Sequence, residues 1–257
     1  MSLYTKESGT PGRPSIVFLH GVGAGSWMWQ EQVAALVSFH CLNVDLPGHG
    51  QSNQIEWVSF ADTAQRIAEL IRSRATNGRS HIIGLSLGGY IGLVVMNNFR
   101  ELIDRTIISG VTVEPMPNRV FLKPQVWLMS LMKKPWFGKR QARSLGLSPA
   151  MQADYVENLS AMSMQAYDRI MQEASEFNLP TSLREVEIPT LAVAGGNETE
   201  IIKQAVHTLA ATLPNAQGAF APGLGHGWNV EDPGLFNAMA QAWLTSTPLP
   251  PRLQLIN

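Results

Sequence analysis

Ser86 is the residue on which chemistry could turn. It stands in Gly84-Leu85-Ser86-Leu87-Gly88, with Gly89 next, between the apolar run His81-Ile82-Ile83 and a helix-period pattern from Tyr90 to Met96. Strand, tight turn and helix, with serine at the apex, is the context that lifts a hydroxyl out of a sheet as a nucleophile. The turn strains the serine backbone, and residues lacking a Cβ two positions before and after relieve the crowding. The following helix aims its free N–H groups at negative charge developing beside the serine. Five residues of this kind also arise by chance, so their meaning depends on partners elsewhere in the chain.

A serine hydroxyl is a weak nucleophile at neutral pH and needs an adjacent base. Imidazole suits the task because its pKa lies near the working pH. Of the six histidines, His226 alone sits late, in the loop Gly225-His226-Gly227 after the last strand pattern. That is where the chain order serine, acid, histidine would put the base. His20 and His49 follow strands and are assigned to supporting roles. His40 and His81 flank strands and His207 falls in a helical pattern, so structural roles are expected for all three. Asp45, in Asp45-Leu46-Pro47-Gly48-His49-Gly50, reads as a turn-former that hydrogen-bonds local backbone.

These residues need a scaffold. Ile16–Leu19, Cys41–Asp45, the run before Ser86, Thr106–Ile108, Pro189–Gly195 and a short stretch near Gly218–Ala221 read as strands, with one more near Leu3–Lys6. Helical patterns lie between them: Trp27–Val37, Ser59 to about Ala75, the run after Ser86, and Ile201–Leu213. Leu235–Leu244 closes the series. Alternation with short connections implies an α/β fold, a mostly parallel sheet with helices on both faces. The alternation breaks over 114–187, where helical patterns (Val120–Met132, Gly138–Leu145, Pro149–Leu159, Met164–Phe177) are separated by prolines. Seven of the eleven methionines fall there, which suits a lid over an apolar pocket, although core packing would use them equally well. Beyond Thr247, three prolines make an extended tail the expectation.

Four blocks together carry a family resemblance: His20-Gly21; Asp45-Leu46-Pro47-Gly48-His49-Gly50 with Ser52; Gly84 to Gly89; and Gly225-His226 with Glu231-Asp232-Pro233. In this order and at these separations the chain resembles the α/β-hydrolase superfamily over nearly its whole length. The resemblance implies Ser86 as nucleophile, His226 as general base, and an oxyanion hole from the backbone N–H groups of Val22 and Leu87. It also implies a core from 1–113 and 188–257 and a helical cap at 114–187. The family's acid is usually an Asp after the penultimate strand, but here the chain reads Gly195-Gly196-Asn197-Glu198-Thr199-Glu200. Glu198 has the expected offset, with Glu200 and Glu114 as alternative acids. The expected reaction is hydrolysis of a small, apolar carboxylic ester through an acyl-enzyme. A lactone or a carbon–carbon bond beside a carbonyl is an alternative within the fold, and a low-turnover small-molecule sensor is an alternative outside catalysis. Trp27, Trp127, Trp228 and Met129 are the candidate pocket residues.

Composition narrows the partners. A net charge of −1 over 257 residues leaves no basic footprint for nucleic acid. The single cysteine, Cys41, fits a reducing compartment. A polar N-terminus without an apolar core segment and the lack of any ~18-residue apolar run make a cytoplasmic protein without membrane contact the expectation. The basic group Lys133, Lys134, Lys139, Arg140 and Arg143 reads as a solvated face. No His or Cys pair has ligand spacing, so neither metal nor cofactor is expected. Gly21-Val22-Gly23 with Asp45 about twenty residues on approximates a dinucleotide fingerprint, but Ser26 replaces its third glycine and Ser86 and His226 would be left without roles.

Overall fold

The computed structural model describes residues 2–115, 134–144 and 147–256. Its strands form one sheet in the order β1 (Thr5–Gly9), β3 (His40–Val44), β2 (Ser15–Leu19), β4 (Ser80–Leu85), β5 (Ile103–Ser109), β6 (Thr190–Gly195), β7 (Ala216–Ala221), β8 (Gln254–Ile256). All neighbours from β3 to β7 pair in parallel; β1 and β8 close the two edges antiparallel. β2, β3, β4 and β6 are buried at every position, as continuous apolar runs in a sheet covered on both faces must be. Alternation along β2 divides the core. Val17 and Leu19 join a cluster with Ile67, Ile71, Ile91 and Leu209, while Ile16 and Phe18 point to the other face, among Trp29, Leu36, Phe236 and Met239.

The flanking helices are α1 (Gln30–Ala35), α2 (Phe60–Arg74), α3 (Leu87–Asn98), α7 (Glu200–Thr212), α8 (Trp228–Glu231) and α9 (Pro233–Leu244). α2 is capped by the Ser59 hydroxyl, which accepts the Asp62 N–H at 3.0 Å. The helix expected over Trp27–Val37 splits into a 3-10 turn, Ser26–Trp29, and α1. Trp29 is fully buried against Phe18 and Phe236, and that anchoring fixes the junction. The first strand starts at Thr5 rather than Leu3: it is a half-exposed edge whose position is set by pairing with β3, not by an apolar pattern of its own. The tail is not merely extended, for its end pairs with β7 as β8.

A helical insertion separates β5 from β6: α4 (Pro135–Ser144), α5 (Pro149–Ala161) and α6 (Met164–Glu176). Ser148 and Ser163 cap α5 and α6, accepting the N–H groups of Met151 and Ala166. The helical pattern expected over Val120–Met132 lies outside the described residues. The insertion is clamped to the core by α6. Both carboxylate oxygens of Glu173 accept the Phe60 N–H at 3.0 Å, and one accepts Trp57 Nε1–H at 3.3 Å. Arg169 donates to Glu56 at 2.7 Å and to the Trp57 carbonyl at 3.0 Å. Phe60 opens α2, so Glu173 places an anion at a helix N-terminus, where exposed N–H groups favour it. No helix among the described residues is long and apolar enough to cross a membrane.

Candidate active site

Ser86 sits between β4 and α3 with φ 56° and ψ −116°, a region that costs a residue with a side chain ~1–3 kcal/mol and persists only where neighbours enforce it. They do. Its N–H donates to the Ser109 carbonyl on β5 at 2.8 Å, and its carbonyl accepts from Gly89 and Tyr90 at 2.9 and 3.2 Å. The Gly88 N–H donates to the His20 carbonyl at 3.0 Å. A Cβ on Gly88 would run into the Leu19 carbonyl, so glycine is required for α3 to pass this close to β2. The turn is thereby bonded to the strands on both sides.

His226 lies in the loop after β7. Its Nδ1 is 2.5 Å from Glu198 Oε1, with the Glu198 side chain only 7% exposed and that of His226 36%. A carboxylate accepts here, so Nδ1 carries the proton and Nε2 keeps a lone pair. The Glu198 loop is stitched to the loop bearing the histidine: the N–H groups of Gly196 and Asn197 donate to the Ala221 and Leu224 carbonyls at 2.7 and 2.9 Å, and the Asn197 amide donates to Gly223 at 2.9 Å. On the far side, Gly110 (φ +67°) packs so closely that a Cβ there would come 2.9 Å from His226 Cε1. The other two carboxylates are elsewhere. Glu200 is exposed and pairs with Lys203 at 2.6 Å, and Glu114 is exposed after β5. Neither meets His226.

Under the serine, the His20–Asp45 region is fixed by hydrogen bonds that leave it nothing to do with protons. His20 Nε2 accepts the Leu46 N–H at 3.0 Å, so Nδ1 donates to the Gly21 carbonyl at 2.8 Å. Burial lowers the His20 pKa, against the opposing pull of Asp45. His49, edge-on to His20 at 5.0 Å, donates from Nδ1 to the Pro47 carbonyl at 2.8 Å, and burial and His20 push its pKa down to about 3. Asp45 accepts the Gln51 N–H at 2.8 Å within its turn and the Ser26 N–H at 2.6 Å across to the neighbouring loop. The loop from Gly21 to Gly25 is thus held beside Ser86. Leu87, first residue of α3, has no intrahelical acceptor for its N–H. The Val22 N–H likewise meets no backbone acceptor among the described residues.

Ser86, His226 and Val22 line one cavity of about 240 Å³, which Trp27 also lines. Trp228 does not belong there. It is fully buried against Phe236, 4.6 Å between ring centroids, and donates to Ser109 Oγ at 3.0 Å; two residues beyond His226, its ring turns under the sheet. Trp127 and Met129 lie outside the described residues. The insertion contributes Tyr155 and Leu159 from α5 and Tyr167 and Met171 from α6. Sequence reasoning passed over the two tyrosines, although each precedes its apolar neighbour by four residues and therefore shares its helix face.

Parallel sheet, serine at the strand–helix turn and histidine in the last loop define a hydrolase fold, and the chain belongs to the alpha/beta hydrolase family, whose profile matches residues 16–239. It is 26% identical to an AB hydrolase superfamily protein of Gibberella zeae over 97% of this chain and 86% of that one. It is 24% identical to the 3-oxoadipate enol-lactonase 1 of Acinetobacter baylyi over 76% of this chain and 75% of the relative. In fold it is similar to a hydrolase from Pseudomonas aeruginosa PA01, with a TM-score of 0.78, 22% identity and 94% of each chain covered.

Proposed function

We propose that this hydrolase is a serine esterase acting on small, uncharged carboxylic esters through an acyl-enzyme. The observation that carries the reading is the Glu198–His226 contact at 2.5 Å, with His226 and the strained Ser86 lining one cavity. Ser86 Oγ attacks the carbonyl carbon while His226 Nε2 takes its proton; Glu198 keeps Nδ1 protonated and stabilises the imidazolium. The carbonyl oxygen becomes an oxyanion facing the Val22 and Leu87 N–H groups. Collapse breaks the ester C–O bond, and the proton on Nε2 goes to the departing alkoxide. Water then loses a proton to Nε2, attacks the acyl carbon, and the second collapse returns Ser86 Oγ–H and frees the acid. The insertion acts as the lid that closes this chemistry from water and selects the acyl group.

A lactone is an internal ester and passes through the same steps, and the enol-lactonase relative supports counting lactones within the substrate class. A low-turnover sensor would suit a site with no working acid, and a carboxylate seated on the imidazole speaks against it. The test is turnover of short-chain aryl esters, and labelling by a phosphonate probe, in the wild type and in Ser86→Ala. Hydrolysis and labelling should both vanish in the variant. Labelling that survives the substitution would remove Ser86 from its role.

A further inference from the structure

Two buried tyrosines of the insertion have no internal reason to carry a hydroxyl. Tyr155 and Tyr167 are 6% and 8% exposed, and both line the cavity that holds Ser86. Buried phenols ordinarily find a hydrogen-bond partner, and Tyr90 in this same protein does: its oxygen lies 2.7 Å from Thr112 Oγ1 and accepts the Thr112 N–H at 3.0 Å. The oxygens of Tyr155 and Tyr167 bond to no described residue, and neither is among the fully sealed polar atoms. Trp27 meets the Tyr155 ring edge-on, 6.4 Å between centroids at 89°, which fixes its direction without using its hydroxyl.

Both phenols stay protonated. Burial, reinforced by Tyr167 nearby, pushes Tyr155 up to about 12, and burial with Asp168 raises Tyr167. They are therefore neutral donors. Between them and Ser86 the described lining is mostly apolar, with Val22, Leu147, Leu159, Met171 and Val230; Gln141 and Asn229 add neutral amides and His226 its ring, and the described lining includes no Lys, Arg, Asp or Glu. Among the described residues of that lining an anionic group on the acyl part would find no Lys or Arg, whereas an uncharged oxygen acceptor would find two phenol donors.

We infer that Tyr155 and Tyr167 form a donor pair for a second, uncharged carbonyl oxygen, carried on the acyl part of the substrate away from the bond that is cleaved. The substrate class becomes keto esters, or lactones with a further carbonyl, rather than plain alkanoates. This rests on the esterase reading of Ser86.

The test compares p-nitrophenyl 4-oxopentanoate with p-nitrophenyl pentanoate, which differ by the one oxygen in question. Wild type should favour the oxo ester about tenfold in kcat/KM, the scale of one or two neutral hydrogen bonds. Tyr155→Phe and Tyr167→Phe should each reduce that preference, read as the ratio of the oxo-ester rate to the pentanoate rate within each variant. Equal loss on both esters, or no preference in the wild type, would overturn the donor pair and leave the esterase reading standing. Calorimetric binding of both esters to Ser86→Ala supplies the other arm. If wild type cleaves neither ester, the esterase reading falls. The donor pair then stands if the oxo ester still binds more tightly and Tyr155→Phe in that background abolishes the difference, and falls if the two bind alike.

Discussion

Glu198 carries one methylene more than the aspartate its family usually places there, and the extra reach is absorbed by the loop. Bonds from Gly196 and Asn197 to the neighbouring chain hold the Glu198 backbone so that the longer side chain lies nearly buried and ends on His226 Nδ1. On the proposed mechanism, Glu198→Gln keeps the shape but offers no charge and permits the wrong tautomer. Steady-state hydrolysis of an aryl ester should show kcat lowered by roughly 10⁴, and a rate near wild type would remove Glu198 from the triad. His49 makes a separate prediction. Its folded pKa of about 3 lies below the ordinary 6.5, so the unfolded chain binds the proton more readily. Its contribution to stability is then complete above about pH 6.5 and is lost as pH falls through that window toward 3. Urea midpoints measured from pH 7 to 4 should decline, and the decline should be shallower in His49→Gln.

At the scale of elements, the clamp of α6 on α2 governs how the insertion sits. α2 packs on α3, the helix that follows Ser86, and Phe60 stacks on Tyr90 across that contact, 5.4 Å between centroids. Glu173 thus joins the roof of the cavity to the helix pair under it. Burial raises its pKa, while the Phe60 and Trp57 donors oppose the rise. Glu173→Ala removes the acceptor for two donors and should cost about 1–3 kcal/mol in a urea melt. If the clamp also positions the lid, KM for aryl esters should rise more than kcat falls. An unchanged KM would confine Glu173 to stability. The proline breaks of the insertion, Pro149 at the start of α5 among them, were visible as sequence patterns. The clamp was not, because Glu173 and Phe60 lie 113 residues apart and neither belongs to a local motif.

At the scale of the molecule, the sheet is finished by its C-terminal segment. Ile256 packs over Gly218, where a Cβ would collide with it, and Leu253 is buried in the core. Removal of residues 248–257 should uncover the β7 edge, lower the melting temperature by several degrees and increase light scattering at high concentration; an unaltered melt would make the strand dispensable. β8 escaped the sequence reading because three residues after a proline-rich stretch carry no periodicity, and only β7 gives them a register. The parallel strands were legible because burial on both faces demands unbroken apolar runs, such as Ile16–Leu19. The turn at Ser86 was legible because side chains at Gly84 and Gly88 would run into backbone, and His226, the proposed base, was legible from its late place in the chain order. Trp228 misled because proximity in sequence to His226 says nothing about which way a ring turns after one residue of helix.

On the proposed mechanism, the groups that meet at the cleaved bond and those that meet the rest of the acyl chain come from different stretches of polypeptide. Ser86, His226, Glu198, Val22 and Leu87 all lie in the loops and helix starts at the strand ends, while α5 and α6 supply the opposing tyrosines. Such a division makes substrate range and reaction separately heritable. An exchange of the chain between β5 and β6 with that of another family member would pass on a new appetite with the old chemistry intact, so long as the incoming helix kept a carboxylate for the N-terminus of α2.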